Sequence, residues 1–278
     1  MSAPTPATEA HVKTRRQFRV DPVWITFLVL LILWAYSLIR VSGFRTVEYN
    51  LFTLRVAAFL GIVAAGQTLV VLMGGIDLSV AAVVTMAGVI GGNLLAQVGE
   101  VGGIVLTLVI CALVGVANGI GVVTLRLPPL VMTLASLNVI QGVLLVYNAG
   151  KPVSGKSDFL HYWALGNLLG IPTPVWALGI ISIICAVLLY GTPYGRGVYA
   201  IGNNARAALL SGVPIGRVQI VTYALCSVLA GVAGLLILGR TGYSSKTAGD
   251  PYLLMSIAAV VIGGTSILGG RGKYIGTI

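Results

Sequence analysis

The chain has 278 residues, of which 57% are hydrophobic and only 9% are charged, and its mean hydropathy is +1.00. Soluble domains carry roughly 25% charged residues, so this chain cannot cover a globule with a water-compatible surface. The net charge of +10 does not indicate nucleic-acid binding, because the 17 basic residues stand singly between apolar runs, apart from a cluster between Lys13 and Arg19. Composition therefore excludes a soluble domain and favours a membrane protein, with the lipid bilayer around most of the chain.

Eight apolar segments approach the length of a membrane-spanning helix, which needs about 20 predominantly apolar residues. In chain order they are 23 to 39, 56 to 73, 78 to 98, 101 to 125, 130 to 147, 174 to 190, 218 to 238 and 253 to 269. Small residues recur four positions apart within them, as they do where helices pack closely in lipid. The sequence predicts an all-α polytopic transmembrane helix bundle over residues 23–278, preceded by a basic tail over residues 1–22.

The first segment has the basic flank of a signal peptide, but its apolar core runs from Val23 to Ile39. Since cleaved signals have cores of about 7 to 15 residues, we expect a retained first span. With the N-terminus inside and strict alternation, ten basic residues fall inside and seven outside. The positive-inside rule then favours a cytoplasmic N-terminus, which makes the loop 191–217 cytoplasmic and the loop 148–173 external.

Residue patterns for catalysis or metal binding are missing from the predicted spans. The two histidines, His11 and His161, lie in the tail and in a loop, and Asp77 is the one carboxylate near the membrane core. A Ser–His pair or an aspartyl dyad inside the bundle is therefore not expected. The run 264–273 lacks the spacing of a phosphate-binding loop, and the three cysteines have no partner at ligand spacing. We expect no catalytic residue, no metal and no cofactor.

Polar residues inside the apolar segments are candidates for a helix break or a translocation pathway. Asp77 follows a Gly-Gly pair and precedes Leu78, so its side chain can accept hydrogen bonds from the free amides of the next helix. Contact with a substrate or a coupling ion is the alternative. Amides in apolar helices bond either to neighbouring helices or to a hydroxylated solute. The candidates are Gln67, Asp77, Ser79, Asn93, Asn118, Asn138 and Gln141.

A second apolar run, from Val260 to Gly264, also breaks at a Gly pair. Interrupted helices in related positions can mark a substrate site, although the similarity spans too few residues to define an internal repeat. Histidines, lysines and additional carboxylates are missing from the helix centres, which disfavours ion-driven secondary transport.

The loop 191–217 contains a short helix signal. Asn203 or Asn204 can cap a helix of about two turns that ends at Gly212 and lies parallel to the membrane. Periodicity alone does not separate an interfacial connector from a functional segment.

Four stretches together resemble the permease subunits of ribose-type and related monosaccharide ABC importers. They are Gly66 to Val80, Leu127 to Leu134, the Ala-Ala-x-x-Ser-Gly run at 207–212, and Ala258 to Gly272. The resemblance implies a permease that works as a homodimer or with a related subunit in the bacterial inner membrane. It also implies two cytoplasmic ATP-binding cassette ATPase subunits, which hydrolyse the ATP, and a periplasmic sugar-binding protein.

By the same resemblance, the segment 203–212 is the coupling helix that docks on the ATPase. Its residues are Asn203, Asn204, Arg206, Ala207, Ala208, Ser211 and Gly212. Many members carry an acidic residue near the position of Arg206 and a basic one near Leu209, so the polar pairing with the ATPase is expected to differ here.

Members of that family usually carry about ten membrane helices, each of about 20 apolar residues. Here the chain stops at Ile278 after about eight, so we expect a permease domain truncated at its C-terminus. The expected activity is inward translocation of a monosaccharide or similar polyhydroxy solute. Two alternatives stay open, a nucleoside or branched-chain amino acid permease of the same superfamily and an unrelated secondary transporter or channel.

Overall fold

The computed structural model describes residues 22–278, so the predicted tail at 1–22 lies outside the described residues except for Pro22. Nine α-helices lie within the described range. They are α1 (Pro22–Arg40), α2 (Val47–Leu72), α3 (Val80–Thr124), α4 (Pro129–Asn148), α5 (Asp158–Leu165), α6 (Thr173–Gly191), α7 (Pro193–Leu210), α8 (Ile215–Thr241) and α9 (Asp250–Ile262). The all-α membrane bundle predicted from the sequence is confirmed.

Four two-residue strands accompany the helices in the described range, namely β1 (Val153–Ser154), β2 (Asn167–Leu168), β3 (Ile171–Pro172) and β4 (Tyr243–Ser244). Strand β1 pairs with β4 and β2 with β3, both antiparallel. The β1–β4 pair ties the loop after α4 to the segment between α8 and α9.

Five described helices, α2, α3, α4, α6 and α8, are long and apolar enough to cross a membrane. Helix α3 has 45 residues and would be about 68 Å long if straight, about twice a hydrocarbon core. It breaks at Gly99, whose φ of 79° and ψ of 175° are not helical. Gly103 packs against the backbone of Leu94 and Leu95, so the limbs 80–98 and 100–124 fold back on each other. These limbs match the predicted segments 78 to 98 and 101 to 125.

The prediction that 253 to 269 forms a spanning helix is wrong. Helix α9 has 13 residues, about 20 Å, and ends at Ile262. The amide of Thr265 bonds back to the carbonyl of Val260 at 3.2 Å, and Gly264 has a φ of +87°. The run looks continuous in sequence because Ile267 and Leu268 extend its apolar character past the Gly pair, although both side chains are exposed in the turn.

Successive long helices run in opposite directions, so the turns between them gather at two ends of the bundle. The end that carries α7, called the α7 side, also holds the end of α2, residues 126–128 and the turn after α9. The opposite end, called the α5 side, holds residues 41–46, the Gly99 turn and α5. Contacts support this division, because Leu72 meets Gly202 on one side and Glu100 meets Phe159 on the other.

Helices α2, α3 and α8 form the buried centre. Gly115 packs on the backbone of Tyr223 and Ala224, and Gly234 packs on Val84. Small residues at these positions let the backbones approach closely, which drives helix association in lipid. Helices α1 and α4 instead expose apolar side chains, such as Leu33 of α1, as expected for surfaces that face lipid or another membrane subunit.

Candidate translocation and coupling sites

A buried polar network closes the break between α2 and α3. The Asp77 carboxylate accepts hydrogen bonds from the amide of Ser79 at 2.8 Å and from its hydroxyl at 2.6 Å. Asn118 then donates to the Ser79 hydroxyl at 2.9 Å and accepts from Ser136. Asp77 therefore closes a turn on Ser79, the residue just before α3, and not on the helix amides that its position after the Gly pair predicted as partners.

Gln67 satisfies the backbone of the same break from the side of α2. When the side-chain amide is oriented to satisfy both its ends, its nitrogen donates to the Asp77 carbonyl and its oxygen accepts from the Asp77 amide, both at 3.2 Å. From α4, the hydroxyl of Thr133 accepts from the amide of Leu78 at 3.1 Å. The backbone groups between α2 and α3 are thus hydrogen-bonded by protein side chains, as a membrane interior without water requires.

Four of the seven pathway candidates, Gln67, Asp77, Ser79 and Asn118, meet in this network, and each is 0% exposed. In this conformation their side chains bond to one another and to the backbone, and so hold the helices together. The sequence did not predict two members, Thr133 and Ser136, because a hydroxyl inside an apolar helix can bond to its own backbone and is a weaker signal than an amide. Their spacing just after the Pro-Pro pair at the start of α4 was the available signal.

The two Gly pairs end their helices with the same hydrogen bonds. After α2, the amides of Gly74 and Gly75 bond to Val71 at 2.9 Å and Val70 at 3.0 Å. After α9, the amides at 264 and 265 bond to the carbonyls at 261 and 260, at 2.9 and 3.2 Å. Both patterns are Schellman closures with a left-handed glycine. The two breaks are therefore equivalent in backbone geometry.

The predicted short helix in the loop 191–217 is present as the last part of α7. Asn204 leaves the helical region, with a φ of −163°, and its side-chain oxygen accepts from the amide of Ala207 at 3.0 Å. Gly212 follows the helix with a φ of +79°, as a C-terminal glycine does. The sequence did not predict that residues 193–203 are also helical, because glycines at 195, 197 and 202 argue against a helix.

The tip of α7 is open to a partner. Of the coupling candidates, Ala208 is buried, and the others are exposed: Asn203, Asn204, Arg206, Ala207, Ser211 and Gly212. Leu209 and Leu210 are also exposed, by 61% and 83%. Exposed apolar side chains beside a capped helix are typical of a surface that another protein covers.

The base of α7 contacts the end of α2 and the turn that follows α9. The Asn203 side chain donates to the Gly270 carbonyl at 3.0 Å, and the Gly270 amide donates to the Leu72 carbonyl, the last residue of α2, at 2.8 Å. The Tyr199 hydroxyl donates to the Gly272 carbonyl at 3.2 Å. Gly202 lies so close to Leu72 that a Cβ would overlap its carbonyl oxygen. A displacement of α7 would therefore reach the end of α2 and the turn after α9 together.

The remaining three candidates lie elsewhere. Asn93 donates to the Tyr147 hydroxyl at 3.2 Å near the α5 side. Asn138 and Gln141 lie on the outer face of α4 and line a cavity of about 400 Å³ with Lys246 and Asp250. The sequence did not predict the latter two as site residues, since they lie some 105 residues away along the chain, outside the predicted spans.

On the α5 side, Glu100 holds the start of α5. Its carboxylate accepts from the amide of Phe159 at 3.3 Å. The pKa of Glu100 is lowered, first by the hydrogen bond from the Ser157 side chain and then by that amide. A carboxylate at a helix N-terminus is also favoured by the helix dipole.

Residues 49–278 match the family described as "Branched-chain amino acid transport system / permease component". The ribose import permease protein RbsC of Escherichia coli (strain K12) is 34% identical over 281 residues, 98% of this chain and 87% of that protein.

RbsC of Bacillus subtilis (strain 168) is 39% identical over 228 residues, 81% of this chain and 71% of that protein. The fructose import permease protein FrcC of Rhizobium meliloti is 33% identical over 288 residues, 97% of this chain and 79% of that protein. No solved structure matches the chain.

Proposed function

Because the chain belongs to the family of branched-chain amino acid transport system permease components, we propose that it is the membrane subunit of an ABC importer for a monosaccharide or similar polyhydroxy solute. The observation that carries the proposal is its 33–39% identity to ribose and fructose import permeases over most of both chains. A nucleoside or an amino acid is disfavoured, because these relatives are named for sugars.

The proposal assigns ATP hydrolysis to separate cytoplasmic ATPase subunits that dock on the tip of α7. Support comes from the exposed surface at 204–212, capped by Asn204 and followed by Gly212. Closure of the ATPase dimer moves this tip, and the contacts of Asn203 with Gly270 pass the displacement to α2 and α9. Rigid elements that shift as units are the usual carriers of such coupling.

The α7 side is then cytoplasmic, the N-terminus is cytoplasmic and the α5 side faces the periplasm, where a sugar-binding protein delivers the solute. The membrane is the bacterial inner membrane. A second permease copy, or a related subunit, packs against the exposed helices. Support for this last point comes from α1, which exposes apolar side chains such as Leu30 and Leu33.

The decisive experiment is uptake into proteoliposomes that contain the full chain, its ATPase and its binding protein. We expect ATP-dependent accumulation of labelled ribose or fructose, and none with a non-hydrolysable ATP analogue. Uptake of leucine or adenosine in place of the sugars would contradict the sugar assignment. Uptake that persists without the ATPase would contradict the ABC mechanism.

The docking surface is tested with a matched pair of variants, Ala207→Trp and Ala96→Trp. Both alanines are exposed, one at the tip of α7 and the other near the α5 side. Only Ala207→Trp should reduce co-purification with the ATPase. In cells, a cysteine at position 207 should react with a membrane-impermeant reagent only after permeabilisation. Reaction in intact cells would overturn the proposed orientation.

A further inference from the structure

We propose that the cavity between α4 and the start of α9 is a binding site for a polyhydroxy solute near the middle of the membrane. Its polar lining consists of Asn138 and Gln141 from α4, Lys246 and Thr247 from the segment before α9, and Asp250 at the first position of α9. The inference deepens the proposed function, on which it rests, by naming where the solute is held.

The depth of the cavity follows from α4. This helix has 20 residues and is about 30 Å long, which is the thickness of a hydrocarbon core. Asn138 and Gln141 lie nine and twelve residues from its first residue, or about 14 and 18 Å along its axis. Both amides therefore lie close to the bilayer midplane.

The segment before α9 reaches the same depth by descending along the first limb of α3. Ser244 packs against Gly88, and the amide of Gly249 donates to the Thr85 hydroxyl at 3.0 Å. Gly249 also lies against the backbone of Ala81, one residue into the limb. The 13 residues of α9 then extend about 20 Å to the α7 side, so that Asp250 starts at about mid-membrane.

The polar groups of the cavity are largely uncommitted. Within residues 22–278, the side chains of Gln141, Lys246 and Asp250 form no hydrogen bond or ion pair, and Asn138 bonds only to the Leu134 carbonyl at 2.8 Å. Ionisable side chains at this depth are costly against lipid, and they characteristically face a water-filled pathway and mark substrate routes. This wall of the cavity is accordingly hydrated.

The chemistry of the lining fits hydroxyl groups. A hydroxyl both donates and accepts hydrogen bonds, Lys246 only donates, an ionised Asp250 only accepts, and the two amides do both. A cavity of about 400 Å³ lies within the usual range for small-molecule sites. An amino acid zwitterion would engage the lysine and the aspartate but leave the two amides without a role, so the polyhydroxy solute is favoured.

Hydration is tested by cysteine labelling, because the three native cysteines are buried and should stay unlabelled. In proteoliposomes without nucleotide, a hydrophilic maleimide should label Gln141→Cys. The matched control on the same helix is Val139→Cys, which is 63% exposed but does not line the cavity. At least tenfold faster labelling at 141 than at 139 is expected, and equal rates would overturn the site.

Ligand chemistry is tested with the same variant and with transport. Millimolar ribose or fructose should slow labelling of Gln141→Cys, whereas protection by leucine and not by sugars would overturn the proposal. Asp250→Asn and Asn138→Ala should lower the sugar transported per ATP hydrolysed about tenfold, with Gln97→Ala, an exposed amide near the Gly99 turn, as the control. An unchanged ratio in both would also overturn it.

Failure of the proposed sugar import gives a different result from failure of the proposed cavity site. In that case the wild-type chain takes up no sugar at all, while the labelling rates at 141 and 139 still decide whether the cavity is hydrated.

Discussion

Replacing Ser79 by alanine should destabilise the bundle, because this hydroxyl links two parts of the buried network. It donates to Asp77 at 2.6 Å and accepts from Asn118 at 2.9 Å, and Ser79 is 0% exposed. A net contribution of about 0.5–1.5 kcal/mol for each bond gives a loss of about 1–3 kcal/mol. For a chain of this size, that corresponds to a fall in Tm of about 2–10 °C.

The assay is thermal unfolding of the detergent-solubilised chain. Ser37→Ala is the matched control, because the Ser37 hydroxyl makes one bond within exposed α1, to the Leu33 carbonyl at 2.8 Å. The control should change Tm by less than a third of the Ser79→Ala effect. Combining Ser79→Ala with Asn118→Ala should cost less than the sum of the two single changes, since they share a bond. Equal Tm values for Ser79→Ala and Ser37→Ala, or strictly additive losses, would refute the network.

Three other outcomes are expected. Gly202→Ala should destabilise the chain by about 1–3 kcal/mol and reduce ATP-driven uptake, because its Cβ overlaps backbone, whereas Gly179→Ala has open space and should do neither. Asn204→Ala removes a helix cap worth about 1 kcal/mol and should weaken ATPase binding about fivefold in a titration. Because the pKa of Glu100 is lowered in the folded chain, its carboxylate stabilises the fold at pH values above the ordinary glutamate pKa. This stabilisation is lost as the pH falls through the lowered pKa. The Tm difference between wild type and Glu100→Gln should therefore vanish on acidification, and a difference that is constant with pH would contradict this.

The coupling segment shows how far local sequence signals reach. Asn204 and Gly212 bound a short helix that the sequence predicts, because caps and left-handed glycines act within a few residues. The helix 193–203 before it was missed. Its glycines are disfavoured in helices, but Gly195 packs directly on Leu189 and Gly202 on Leu72, and these close contacts compensate.

Only the tertiary structure separated the polar candidates that are buried in the network from those that line the cavity. Gln67, Asp77, Ser79 and Asn118 are similar in the sequence to Asn138 and Gln141, since all are polar residues in apolar surroundings. The first four are buried where α2, α3 and α4 meet, while the last two face a cavity. Which face of a helix is covered depends on its neighbours, and the sequence of one helix does not specify them.

The sequence by itself determined that this chain lies in a membrane, roughly where its helices begin and end, and the family to which it is similar, because apolar length and breaker residues act locally. Only the tertiary structure decided that α9 stops at Ile262, that the breaks at Gly74 and Gly264 are equivalent, and that Lys246 and Asp250 line one cavity with Asn138 and Gln141. Each of these depends on contacts between residues far apart in the chain. Such contacts form only when the helices pack against one another and satisfy their backbone groups without water.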